Sequence, residues 1–203
     1  MIKRSSKQHI DYQIEKNPNW KVLDIGCGYT AHKKANVICD IQDLSEFYKN
    51  RKFVKLENKK LPFDDKEFDL VITSHVIEHV EDVSFFIKEL QRISLKGYIE
   101  LPTILEDNLV FENKNDHLWQ MEFDDVNYQL LIKKRVQYLE PLLTVSTAKK
   151  LSKYFRQSLI LELYWENSIE FKLQENNYIE AEKISRLTLV RKFLSKLIRN
   201  LIR

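Results

Sequence analysis

The chain has 203 residues, 43% hydrophobic and 31% charged, which is enough to bury a sizeable core and too apolar for wholesale disorder. No apolar run approaches the ~20 residues that span a bilayer, the basic start lacks the apolar stretch of a secretory signal, and Cys27 and Cys39 make neither a disulfide framework nor a zinc pattern, so a reducing cytoplasm is the expected setting. The net charge of +3 is uneven: residues 181–203 carry seven basic groups and one acid, leaving residues 1–180 at −3, which argues against a nucleic-acid-binding body.

Residues 1–17 predict a helical lead-in that ends at Asn17-Pro18-Asn19. Residues 20–25 predict a buried strand broken by Gly26-Cys27-Gly28, and residues 36–41, 53–56 and 68–74 predict three more. Residues 44–51 and 83–93 have helical patterns; in the second, Phe86, Ile87, Leu90 and Ile93 share one face. A fifth strand, 97–101, stops at Pro102. Alternating strands and helices predict an α/β fold with a mostly parallel sheet. Beyond residue 115 the pattern changes. Segments 118–123 and 127–132 flank Asp124-Asp125-Val126 as a hairpin, 147–156 is helical, and 159–165 with 169–173 predict a second, C-terminal antiparallel hairpin around Glu166-Asn167-Ser168.

With only three glycines in the chain, Gly26 and Gly28 directly after the first strand point to a site. A strand running into Asp-x-Gly-x-Gly turns sharply and admits a ligand where side chains would collide, and open α/β sheets bind ligands at the carboxyl ends of their strands. The alternative is a tight turn with no ligand. Val22-Leu23-Asp24-Ile25-Gly26-Cys27-Gly28 closely resembles the first motif of class I S-adenosylmethionine-dependent methyltransferases. Four further features follow in that family's order. They are Asp40 at the end of the second strand, Glu57-Asn58 before Leu61-Pro62-Phe63, Phe68-Asp69-Leu70-Val71 leading into Ser74-His75-Val76-Ile77-Glu78-His79, and Glu89-Leu90-Gln91-Arg92-Ile93 approaching Gly97. The resemblance covers about residues 20–102 and implies a Rossmann-like methyltransferase fold with S-adenosylmethionine as cofactor.

It also implies a set of cofactor contacts. Asp40, with Ile41 beside it, belongs at the ribose hydroxyls, Glu57 and Asn58 near the adenine, and Asp24 near the ammonium. The backbone of Gly26, Cys27 and Gly28 belongs near the carboxylate, and Ser74 and His75 on the fourth-strand segment. A bidentate carboxylate suits two hydroxyls, and backbone N–H groups suit an anion. The missing third glycine of Gly-x-Gly-x-x-Gly weighs against a dinucleotide.

Only sixteen residues separate Asp24 from Asp40. The segment 29–35 therefore has room for two helical turns at most, or an irregular loop. In this the chain is similar to a methyltransferase subgroup found among surface-glycan and cell-envelope genes, which it also resembles at Lys96-Gly97-Tyr98-Ile99-Glu100-Leu101-Pro102 and His117-Leu118-Trp119.

Methyl transfer is an in-line displacement that alignment accelerates, and a hydroxyl acceptor gains from a base. His117, Glu100 and His79 are the catalytic candidates, with His75 also within the motif and Asp116 placed to orient His117. Each has a structural alternative. For His117 it is a hydrogen bond in the hairpin turn, for Glu78 and His79 capping of the next helix, and for Trp119 packing. No metal-ligand spacing is present, so no metal is expected. Cys27 has no base beside it and is read as a small loop residue.

Projected as a helix, residues 184–202 place Ile184, Leu187, Val190, Leu194, Leu197, Ile198, Leu201 and Ile202 on one arc, opposite Lys192, Lys196, Arg199 and Arg203. Such a helix suits an anionic membrane surface, or it packs on the body or on a second copy in a homodimer. The chain is thus read as a methyltransferase domain, 1–180, and a basic amphipathic helix, 181–203. The expected reaction is O-methylation of a small-molecule or glycan-type acceptor by a cytoplasmic protein, peripheral at the inner face of the membrane. Alternatives are a protein or RNA methyltransferase and a non-catalytic module recruited through the tail.

Overall fold

The computed structural model describes residues 1–175 and 185–201. Its centre is a seven-stranded sheet. The parallel strands are β2 (Val22–Ile25), β3 (Val37–Asp40), β4 (Lys52–Lys55), β5 (Leu70–Ser74) and β6 (Lys96–Pro102). β1 (Ile2–Arg4) and β9 (Ile160–Glu166) complete the order β1-β9-β6-β5-β2-β3-β4, and β9 is antiparallel to both its neighbours. Chain order runs outward from β2 through β3 to β4, then returns to β5 on the other side. The crevice at the carboxyl ends of β2 and β5 is therefore the switch point where open α/β sheets bind ligands.

β2 and β3 are buried at every position, the mark of strands covered on both faces. On one face Leu23, Ile25 and Val71 pack under Phe86, Ile87 and Leu90 of helix α2 (Val83–Ile93), which matches the predicted helix. On the other, Val22, Ile38, Leu70, Ile72 and Tyr98 meet Ile10 and Ile14 of α1 (Lys7–Lys16). The short helices α3 (Ile104–Leu109) and α4 (Asn113–Asp116) follow β6. The hairpin β7 (Trp119–Asp124) with β8 (Gln129–Lys134) stands in a separate three-stranded sheet.

Three expectations change, and the alternative left open at 29–35 is decided. Residues 2–4 are strand rather than helix, an edge paired to β9. Residues 44–51 form turns closed by Phe47 and Tyr48 N–H to the Leu44 carbonyl; Asp43 accepts from Ser45, a local bond that competes with a helix. The segment 29–35 is the irregular loop, without helical turns. The second hairpin divides: β9 joins the main sheet and β10 (Phe171–Leu173) runs parallel to β8. Alternation marks a strand but not its partner, and here the partner is chosen by packing, because Gly97 of β6 faces Trp165 of β9. Helix α5 (Val145–Leu159) extends the predicted segment, and α6 (Arg186–Leu201) buries none of its residues. The expected boundary at 180/181, and Lys183, Ile184, Ile202 and Arg203, lie outside the described residues. Among the described residues no helix is long and apolar enough to cross a membrane.

A Cβ on Gly97 would sit 2.3 Å from the Trp165 indole nitrogen, and Trp165 is fully buried. Gly97→Ala should cost about 1–3 kcal/mol by overpacking, read by denaturant unfolding; unchanged stability would contradict this packing.

Candidate active site

The loop after β2 is shaped by two glycines in the left-handed region, Gly26 at φ +68° and Gly28 at φ +48°. They serve different ends. A Cβ on Gly26 would lie 2.3 Å from Val76, so this position must be bare for the loop to pack on the turn after β5. A Cβ on Gly28 would meet nothing within 4 Å, since it faces open space. The loop is held from within. Gly26 and Cys27 N–H donate to the Cys39 carbonyl, and Gly28 N–H donates to Asp40 at 2.9 Å. The other Asp40 oxygen accepts from Gln42 N–H at 2.9 Å. The three amides expected to meet a ligand carboxylate are therefore committed, and with no helix behind the loop no helix dipole adds to them. Lys7, which sequence reasoning missed, is a cation on the same side.

Two clefts meet at this loop. The first, about 950 Å³, is lined by Gly26, Gly28, Asp40, Ile41, Glu57, Asn58, His75 and His79. The second, about 640 Å³, is lined by Asp24, Cys27, Ser74, Glu100 and His117, and shares Gly26, Gly28, His75 and His79 with the first. Every cofactor and catalytic candidate named from the sequence lines one of them, whereas Glu78 and Trp119 line neither. The second also holds Glu106 and Glu112, and Asp116 lines both. Glu106 and Glu112 were not marked from the sequence, and Asp116 only as a partner for His117, because the segment 104–116 brings them in from beyond the recognisable motif.

Burial raises the Asp24 carboxyl, partly offset by the His32 N–H that it accepts at 2.7 Å. Burial, with Asp24 and Asp40 nearby, pushes the Cys27 thiol up to about 12; it is no nucleophile at neutral pH. Glu100 is committed to structure. It takes a hydrogen bond from the Tyr98 hydroxyl at 2.8 Å and pairs with Arg156, which also bridges to Glu162 at 3.0 Å. It is thereby a weaker candidate for a base. Asp82, not Glu78 or His79, caps α2. Trp119 donates to the Val80 carbonyl at 2.8 Å with Lys134 over its ring, a packing role.

Glu78, His79 and His117 come together although they have no ligand-like spacing in sequence. Three bonds stitch the turn Ile77–His79 to the strand entering β7: Leu118 N–H to the Glu78 carbonyl, Trp119 to Val80, and His79 Nδ1 to the Asp116 carbonyl at 2.9 Å. His117 Nδ1 donates to Asp107 at 2.6 Å, and Asp107 is anchored in turn by Arg135 and Gln120. With both Nδ1 atoms engaged, the Nε2 of each neutral ring carries the lone pair. His75, at φ +55°, lies 3.2 Å from Glu78. Burial opposes its charged form, but Glu78, with Glu100 and Glu106 behind it, raises its pKa above the ordinary imidazole value. Burial raises the Glu106 carboxyl.

Burial also opposes ionisation of Glu162, but Arg156 and the Tyr98 hydroxyl outweigh it and hold this carboxyl below its ordinary value of 4.5. The resulting stabilisation is present above the unfolded value and lost as pH falls through the folded one. Arg156→Ala should cost about 1–2 kcal/mol at neutral pH, less than a fully buried pair because the guanidinium is one third exposed, with the gap to wild type narrowing below about pH 5 as Glu162 protonates. Equal gaps at pH 7 and 4 would contradict the network.

Residues 23–97 match the family model described as "Methyltransferase domain". "Ubiquinone biosynthesis O-methyltransferase" of Pelagibacter ubique is 28% identical over 106 residues, 45% of this chain and 44% of that protein; the chain thus spans less than half of that relative's length. An uncharacterised protein of Methanocaldococcus jannaschii is 27% identical over 183 residues, 74% of this chain and 81% of that protein. The solved structure of PH0226 protein from Pyrococcus horikoshii aligns with a TM-score of 0.43 at 19% identity, covering 79% of this chain and 92% of that one. The residues present fit S-adenosylmethionine. Asp40 keeps unused lone pairs for two ribose hydroxyls, Gly28 opens the cradle that a side chain would fill, and the neutral Cys27 thiol sets no second anion against Asp40. Residues 23–97 thus match a methyltransferase domain, the strand order is that of a Rossmann-like methyltransferase fold, and the cleft at its switch point fits S-adenosylmethionine as cofactor.

Proposed function

We propose that the protein methylates a hydroxyl of a small-molecule or glycan-type acceptor. The observation that carries this reading is the pair of adjoining clefts, which share Gly26, Gly28, His75, His79 and Asp116. The cofactor supplies an electrophilic methyl on sulfonium. In the first cleft Asp40 receives the ribose hydroxyls, Ile41 flanks them, and Glu57 and Asn58 meet the adenine. In the second cleft, next to the ridge, Asp24 and Ser74 face the amino-acid end and Lys7 its carboxylate. In the second cleft the carboxylates of Glu106, Glu112 and Asp116 accept hydrogen bonds from a polyhydroxylated acceptor and repel a polyanion such as RNA. The free Nε2 atoms of His79 and His117 are the available bases. Alignment at the shared ridge provides most of the acceleration.

Helix α6 supports a peripheral location on an anionic lipid surface. Leu187, Val190, Phe193, Leu194, Leu197, Ile198 and Leu201 are each at least 45% exposed, and between Glu182 and the last residue there is no acid to offset Arg186, Arg191, Lys192, Lys196 and Arg199. A helix with one bare apolar arc and one cationic arc is matched by an anionic membrane interface. Its contact with the body runs through Arg186, which pairs with Glu140 at 3.0 Å and lies over Phe111.

Calorimetric titration with S-adenosylmethionine and S-adenosylhomocysteine should give micromolar binding. Asp40→Ala should weaken it about 10–100-fold, the worth of hydrogen bonds to a charged group, and radiolabel should pass to hydroxylated acceptors in a glycan panel. No cofactor binding by folded protein would overturn the reading. In vesicle sedimentation the chain should pellet with phosphatidylglycerol and not with neutral phosphatidylcholine, and Leu194→Glu should release it; binding unaffected by that change would remove α6 as the membrane contact.

A further inference from the structure

We infer that Glu78, His79 and His117 form a binding site for a borderline first-row divalent cation beside the acceptor cleft, which His79 and His117 line. One ligand atom from each lies within 4.8 Å of the others. Metal–ligand bonds of ~2.1 Å put ligand atoms ~3–3.5 Å apart, so an ion would have to draw these side chains together on binding. The rings of His79 and His117 stand edge to face, with centroids 4.6 Å apart.

Two independent features point to a cation. Glu78 is 1% exposed, and neither of its carboxylate oxygens has a hydrogen bond. His75 is close enough for an ion pair but out of hydrogen-bond alignment. A buried carboxylate left in this state is costly unless a positive charge compensates it. Second, both histidines are prepared as ligands. His79 Nδ1 is held by the Asp116 carbonyl and His117 Nδ1 by the Asp107 carboxylate. This outer arrangement fixes the tautomer and ring direction of metal-bound imidazoles and leaves Nε2 to the ion. The anchoring of Asp107 by Arg135 and Gln120 goes beyond what a hairpin turn needs.

Two imidazoles and one carboxylate suit Zn²⁺, Mn²⁺, Fe²⁺ or Co²⁺, whereas Mg²⁺ and Ca²⁺ prefer all-oxygen sets. Three protein ligands leave open positions toward the cleft. A cation there would hold and polarise a hydroxyl oxygen of the acceptor, and it would do so in place of the base role of His79 and His117, whose Nε2 lone pairs it would occupy. That role rests on the methyl-transfer reading; the binding site itself does not.

The test is calorimetric titration of the chelator-treated full chain with Zn²⁺ alone and, separately, Co²⁺ followed by its visible absorbance, with Mg²⁺ as contrast. One equivalent of Zn²⁺ should bind and raise the melting temperature. His79→Ala and Glu78→Gln should weaken it about 100-fold or more and Asp107→Asn about tenfold. Glu78→Gln should lower the melting temperature of the Zn²⁺-loaded protein more than that of the metal-free protein, because the ion is then the main partner of this carboxylate; an equal fall in both would mark a merely structural ion pair with His75. No saturable Zn²⁺ binding, or binding unchanged in His79→Ala and Glu78→Gln, would overturn the site. S-adenosylhomocysteine titrations on the same preparations separate the two readings. Cofactor binding without a Zn²⁺ site overturns the cation alone, and Zn²⁺ binding without cofactor binding overturns methyl transfer alone.

Discussion

Two backbone amides converge on one carboxylate at the carboxyl end of β3, and the cleft depends on them. Gly28 donates to one oxygen of Asp40 and Gln42 to the other. The short connection from β2 to β3 has no helix to support the glycine loop, so the acid that would receive the ribose also holds the loop in place. Gly26 completes the arrangement by allowing the loop to lie against Val76. On the side proposed for the cofactor, the parts come from adjacent strands of the buried sheet.

The acceptor side is built differently. Its residues arrive from the turn after β5, from α3 and α4, and from the segment entering β7, joined by hydrogen bonds rather than by sheet register. Leu118 to Glu78 and Trp119 to Val80 fix two stretches of chain against one another. The charge there is dense. Glu78, Glu106 and Asp107 are all partly or fully withdrawn from water, and Arg135 offsets only Asp107 directly. An environment of this kind favours positive or hydroxyl-rich ligands.

The parts legible in sequence are those whose physics is local. β2, β3, β5, α2 and β6 announce themselves through apolar runs of the right length, β2 and β6 also through glycines near their ends, and most of the residues proposed for the cofactor travel with them. What escaped depends on partners distant in the chain. β1 is three residues with no pattern of its own, and it exists because β9 offers an edge. Glu100 reads as a free acid until Arg156, brought back by α5, neutralises it. Glu78 and His79 read as helix caps until the chain returns at His117. The antiparallel strand β9 was visible as a strand, but its partner was decided by Trp165 seating on Gly97.

The most direct test of the account is a crystal structure of the full chain with S-adenosylhomocysteine. The account predicts the ribose on Asp40, the adenine beside Glu57 and Asn58, and the sulfur at the ridge shared by the two clefts, facing His79. Cofactor bound elsewhere, or with its ribose away from Asp40, would contradict it.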